Sequence, residues 1–123
     1  GVGCINLGDS YFNGQGVKQD YQQAKTYSEK ACNLGNGLGC AVLGALYSEG
    51  RSVKQNYQQA KTYSEKACNL NAGLGCFNLG ILYNNGQGVR QNKRTAKEYF
   101  GKACDLGVQV GCNEYRKLNE QGY

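Results

Sequence analysis

The chain has 123 residues, 40% hydrophobic and 19% charged, with a formal net charge of +5. That length holds one small domain and excludes two independent cores. The absence of His excludes a Ser/His/Asp triad, a Cys–His dyad and a His-ligated zinc. Mean hydropathy is −0.63, and no apolar run approaches the ~18 residues of a membrane span. No basic-then-apolar stretch opens the chain, so any signal peptide lies outside it. The mild basicity permits an acidic partner without requiring one. Seven Cys in so short a chain point to a disulfide framework made in an oxidising compartment.

The chain is a repeat of 36 residues, set by two cysteine series: Cys4, Cys40, Cys76 and Cys112, and Cys32, Cys68 and Cys104. The first unit, residues 1–36, reads as two helices. Its first half carries Cys4, Leu7, Gly8 and Tyr11 at helical spacing. A Gly14-x-x-Val17 turn follows, where glycine suits the left-handed end of a helix. The second helix is expected from the N-cap Asp20, with Gln23 positioned for a capping box, and carries Ala24, Tyr27, Ala31, Cys32 and Leu34 on one face.

The second unit, 37–72, repeats this pattern with Cys40, Leu43, Gly44 and Tyr47, the turn Gly50–Val53, the cap Asn56 with Gln59, and Ala60, Tyr63, Ala67, Cys68 and Leu70. Lys18–Gly35 and Lys54–Asn71 differ only at Asp20/Asn56 and Gly35/Asn71, which marks a recent internal duplication. The third unit, 73–108, carries Cys76, Leu79, Gly80, Tyr83, Gly86, Val89, the cap Asn92, and Ala96, Tyr99, Ala103, Cys104 and Leu106. Residues 109–123 depart from the pattern: Tyr115, Arg116 and Asn119 stand where Leu, Gly and Tyr recur. They are expected to form a capping helix with a polar outer face. Self-similarity at such a period is the mark of a stacked repeat, an all-α solenoid of helix pairs.

Glycine inside a helix costs roughly 1 kcal/mol against Ala. Its recurrence at Gly8, Gly44 and Gly80 predicts a close approach between helices, with Tyr63-type rings lying over it. Each Cys of the second series precedes one of the first by eight residues, so the expected bridges are Cys32–Cys40, Cys68–Cys76 and Cys104–Cys112. They would join the end of one helix pair to the start of the next. The partner of Cys4 in this phase falls before Gly1, leaving Cys4 unpaired in a segment cut from a longer array. A C-x7-C spacing is wrong for a zinc knuckle, so no metal and no cofactor is expected.

The string GCAVLGALYSEGRSVKQNYQQAKTYSEKAC, Gly39 to Cys68, resembles the Sel1-like repeat, a relative of the tetratricopeptide repeat. With C-x7-C in register it is most similar to the Helicobacter cysteine-rich proteins. The resemblance covers essentially the whole chain. It implies a right-handed α-α superhelix and a secreted or periplasmic bacterial protein that acts as an adaptor for other proteins. It also implies an alternative, penicillin binding with weak β-lactamase activity.

In two-helix solenoids the first helix of each pair lines a concave groove. Sites there should differ between repeats. Those that differ are Ile5/Ala41/Phe77, Asp9/Ala45/Ile81, Phe12/Ser48/Asn84 and Asn13/Glu49/Asn85. They make a mixed apolar and amide surface suited to an extended protein or peptide ligand. Several of them equally suit core packing. No catalytic residue is indicated: Ser-x-x-Lys is absent, and Ser28-Glu29-Lys30 and Ser64-Glu65-Lys66 have the wrong spacing. The ladders Lys25/Lys61/Lys97 and Lys30/Lys66/Lys102 lie beside Glu29, Glu65 and Glu98 and read as a solvated face, not a nucleic-acid surface.

Overall fold

The structure is a computed structural model that describes residues 18–51 and 53–123, with side chains from Tyr21 onward. Cys4, Ile5, Asp9, Phe12 and Asn13 lie outside the described residues, as do Gly8 and Val17. Six helices are described: α1 (Lys18–Asn33), α2 (Gly37–Glu49), α3 (Tyr57–Asn69), α4 (Gly73–Asn85), α5 (Lys93–Asp105) and α6 (Gln109–Glu120). No strand occurs among these residues. Each helix packs on its neighbour in the chain, and α2 also packs directly on α4. The result is an α-α superhelix of stacked pairs.

Composition sorts the helices into two kinds. The helices α2 and α4 are mostly apolar and bury much of their length among several neighbours, with their polar residues at the C-terminal end and, in α4, at Asn78. The helices α3 and α5 are amphipathic and turn Ala60, Ala67, Ala96 and Ala103 inward. Leu43, Leu46, Leu79 and Leu82 fill the space between the pairs at 0–1% exposure.

The expected punctuation is present, with two changes. Gly50 and Gly86 end α2 and α4 at φ 70° and 68°, the left-handed conformation that glycine adopts freely. Gln55 and Gln91 then reach back to the Ser48 and Asn84 carbonyls at 2.9 Å, satisfying acceptors that the helix leaves open. Val53 and Val89 are half-buried beneath these turns. Asn56 and Asn92 are the N-caps of α3 and α5, accepting from Gln59 N at 3.1 Å and Thr95 N at 3.0 Å. Gln59 does not close a capping box, because the Asn56 N–H already donates to the Tyr47 carbonyl at 3.0 Å, as the Asn92 N–H does to Tyr83 at 2.9 Å. Asp20 is not an N-cap: α1 begins at Lys18, upstream of it.

The mid-helix glycines do mark a close approach, but a different side chain causes it. A Cβ on Gly44 would stand 2.5 Å from Ser64 Oγ, and one on Gly80 2.5 Å from the Phe100 ring. The Tyr63 and Tyr99 rings instead stack on Tyr47 and Tyr83, with centroids 5.6 and 5.7 Å apart. The two repeats fill the contact differently. In the third, Phe77 meets Phe100 at 5.5 Å. In the second, Ala41 and Ser64 occupy the same sites, both at 0% exposure, and Ser64 Oγ has no hydrogen-bond partner.

The three bridges form at the expected pairs. Cys32–Cys40, Cys68–Cys76 and Cys104–Cys112 hold their Cα atoms 4.6, 4.7 and 4.6 Å apart. Each joins the last turn of one pair to the first turn of the next. The turn between them needs a left-handed residue, met by Gly35, Asn71 and Gly107 at φ 83°, 62° and 94°. That explains why Gly35/Asn71 is a tolerated difference, since Asn adopts this conformation more readily than other side chains. Leu34, Leu70 and Leu106 do not join the buried face of the second helix. They are 69%, 44% and 38% exposed, because the helix ends at or just before them and the chain turns away.

Four outcomes are expected. Replacing Cys68 and Cys76 together by Ser should cost about 2.5 kcal/mol for a closed loop of about nine residues, read as a lower urea midpoint. Gly44→Ala should cost about 1–3 kcal/mol by overpacking. Ser64→Ala should be neutral or stabilising, since it removes an unpaired buried hydroxyl, and should restore part of the Gly44→Ala loss. The Tyr63 and Tyr99 phenols ionise above the ordinary value of 10.0, first through burial and then through the facing Tyr47 and Tyr83. The neutral phenol is therefore the form that the fold favours. Its contribution is complete below pH 10 and is lost as pH rises through the raised values, so melting temperatures should fall in that window, and less steeply in Tyr63→Phe/Tyr99→Phe.

Candidate binding groove

The direct packing of α2 on α4 brings the variable sites of two successive repeats together. The contact is made by Asn78, whose Nδ2 donates to the Ala41 carbonyl at 3.2 Å. Val42, 4% exposed, is the second-repeat counterpart of Asn78, so a buried apolar side chain in one repeat becomes a polar tie in the next. Toward the C-terminal ends of α2 and α4 the two helices part and leave a recess of about 290 Å³.

Ala45, Ile81 and Leu82 form the apolar floor of this recess. Its rim is polar: Ser48 and Glu49 from α2, Asn78 and Asn85 from α4, Tyr57 at the start of α3, and Gln87 from the turn after α4. The rim is pre-set by its own hydrogen bonds. Gln87 Nε2 donates to the Tyr57 hydroxyl at 3.2 Å, Gln55 Nε2 donates to the same hydroxyl at 2.9 Å, and Asn85 Nδ2 donates to Gln87 Oε1 at 3.4 Å. Among the described residues, Glu49 is the one charged side chain lining the recess. Its Oε2 accepts from Arg51 Nε at 2.8 Å, and the Arg51 guanidinium also lies 4.7 Å from the centroid of the Tyr21 ring. Both side chains of that ion pair are 45% exposed, so it orients more than it stabilises. The Tyr57–Gln87 and Tyr21–Arg51 contacts occupy matching positions one repeat apart. Each ties the start of one pair's second helix to the turn of the next pair.

The variable sites therefore divide. Ala45, Ser48, Glu49, Ile81 and Asn85 line the recess. Ala41 is fully buried and offers only its carbonyl. Phe77 turns toward Phe100 and the core of the third pair. Asn84 faces the turn, where its Oδ1 accepts from Lys93 Nζ at 2.9 Å. Tyr57, Asn78, Leu82 and Gln87 were not legible as lining residues. Asn78 and Gln87 do vary between repeats, as Asn6/Val42/Asn78 and Gln15/Arg51/Gln87, and that variation was the available signal. Tyr57 and Leu82 vary as Tyr21/Tyr57/Lys93 and Ser10/Leu46/Leu82, each shared by two repeats of three.

Two further hollows flank the capping helix. One, of about 320 Å³, lies among Arg94, Lys97, Glu98, Tyr115 and Tyr123. Its ammonium is committed: Lys97 Nζ sits 5.2 Å from the Tyr115 ring centroid and donates to Asn119 Oδ1 at 2.8 Å. The other, about 270 Å³, lies beside Cys104 and Tyr115. Neither gathers variable sites from successive repeats. Among the described residues no group of three Cys, Asp or Glu side chains could hold a metal ion. Ser28 and Ser64, the serines of the two Ser-Glu-Lys strings, are buried at 1% and 0%.

Known proteins agree with this geometry. The Sel1 repeat model matches residues 1–36, 37–71 and 73–108. A Sel1 repeat protein from Oxalobacter formigenes has the same fold at TM-score 0.85 and 23% identity, covering 99% of this chain and 50% of that one. Helicobacter pylori cysteine rich protein B is similar at TM-score 0.70 and 32% identity, covering 91% of this chain and 89% of its own. The protective antigen c5321 of uropathogenic Escherichia coli is similar at TM-score 0.82 and 31% identity, over 97% of this chain and 26% of that one. The chain thus spans half the length of the Oxalobacter protein and about a quarter of the Escherichia coli one. No curated protein sequence matches it. On the three matched repeats, the bridge register and the helix pairing, the chain belongs to the Sel1 repeat family.

Proposed function

We propose that the chain is an exported binding scaffold whose groove between α2 and α4 seats an extended segment of a protein partner. One observation carries this reading. The recess has an apolar floor and an amide-rich rim, and all nine of its described lining side chains occupy sites that differ between at least two repeats. Buried apolar surface supplies affinity there, and the rim amides offer hydrogen bonds to a peptide backbone. Export is supported by the three disulfides, which persist in an oxidising compartment. The description of one neighbour as a protective antigen is consistent with it. No helix among the described residues is long and apolar enough to cross a membrane. Among the described residues the alternative of β-lactam binding and hydrolysis finds no support: the buried Ser28 and Ser64 have no access to a substrate.

Capture from a library of extended peptides tests the groove. Ala45→Arg fills the recess, and Ile81→Glu charges its floor. Each should weaken the captured peptides by about tenfold or more while leaving helicity unchanged. Peptide capture that survives both substitutions would overturn the assignment.

A further inference from the structure

The groove leaves a second repeated feature unused. Among the described residues, six of the eight exposed large hydrophobic side chains lie in the turns that carry the bridges or in the first helical turn after them. The first turn presents Leu34 and Leu38 at 69% and 39% exposure, the second Leu70 and Leu74 at 44% and 38%, and the third Leu106 and Val110 at 38% and 50%. They are not scattered. Leu70 abuts Gly37, where an added Cβ would meet its Cβ at 3.0 Å, and Gly37 adjoins Leu38. Leu106 abuts Gly73 in the same way, and Gly73 adjoins Leu74. The three turns therefore touch in sequence and make one apolar strip. Contiguous exposed apolar surface of this kind marks an interaction site, whereas single exposed residues do not.

A basic ladder accompanies the strip. Lys30, Lys66 and Lys102 sit in the last turns of α1, α3 and α5 and are exposed. Each carbonyl accepts the backbone N–H of Leu34, Leu70 or Leu106 at 3.1 Å, so every ammonium rises one helical turn from an exposed leucine. Lys25 and Lys61 pair with Glu29 and Glu65 on the helix face, but the described ion pairs leave Lys30, Lys66 and Lys102 aside. Asp105 is the one carboxylate within these three turns. A lysine at a helix C-terminus also complements the helix dipole. That accounts for one lysine per helix but not for the exposed leucines beside it.

We propose that this edge is a peripheral binding surface for an anionic lipid bilayer. The apolar turns would enter the interface, and the three ammonium groups would meet lipid phosphates and carboxylates. Two observations select the bilayer over a folded partner. All six apolar side chains lie at helix ends, so the strip borders the molecule and is not the wall of a groove. Every rung also carries an ammonium, so the strip presents three cations and a single carboxylate, Asp105, along its length, the charge that an anionic surface complements.

Co-sedimentation with vesicles tests the proposal. The full chain should pellet at low salt with vesicles of phosphatidylcholine containing about a third phosphatidylserine, and not with phosphatidylcholine alone. Changing Lys30, Lys66 and Lys102 together to Gln should lower partitioning on the order of a hundredfold. Leu34→Ser/Leu70→Ser/Leu106→Ser should lower it by roughly tenfold or more. These side chains are exposed, so both variants should keep the native circular dichroism spectrum. If the leucine variant does not, the lysine variant still decides. Failure of the native chain to bind anionic vesicles at low salt would overturn the proposal. So would equal binding to both vesicle types, or binding to an acidic amphipathic peptide in the absence of vesicle binding.

Discussion

The constraint on which the rest depends is the approach of each helix pair to the next at the bridges. Cα atoms 4.6–4.7 Å apart leave no freedom for one pair to slide on its neighbour. Each unit of a short solenoid contacts only its neighbours, so every interface between pairs counts. The covalent tie holds that interface closed, and it limits the unfolded chain as well. Once the pairs are so placed, α2 and α4 come together, and the Asn78–Ala41 hydrogen bond and the recess follow.

Within each pair a second rule operates. The N–H of the N-cap asparagine donates to the carbonyl of the tyrosine in the first helix of the pair, Tyr47 or Tyr83, while its side chain caps the following helix. One residue thus fixes both the end of the first helix and the start of the second. The stacked tyrosines and the glycine contact then set the spacing of the two helices. These ties are the same in the second and third repeats. Only the filling of the contact differs, Ala41 with Ser64 against Phe77 with Phe100.

The groove and the bridge-bearing edge use the repeat in opposite ways. Along the groove the packing residues repeat, and the facing ones change. Along the edge the exposed residues themselves repeat. A solenoid separates these surfaces because first helices, second helices and turns project in different directions. The molecule can therefore carry a variable surface and a repeating one without conflict between them.

The residues that repeat were legible in the sequence, since a period of 36 exposes them without any knowledge of geometry. Cys32 with Cys40 follows from phase alone, and so does glycine at the end of each first helix. What the period does not contain is direction. Leu34, Leu70 and Leu106 share the spacing of a buried face, yet they are exposed because the helix stops there and the next residues reverse the chain. Tyr63 and Ser64 are adjacent in the chain, and only the rotation of α3 against α2 decides which one covers Gly44. The recess is likewise a product of assembly, since Ala45 and Ile81 are one period apart and meet only when α2 packs on α4. The sequence by itself determined the repeat, its caps and its bridges, because these are local or covalent. Tertiary structure decided which faces are buried, which are shared and which stay open, because those depend on how far each helix turns against its neighbours.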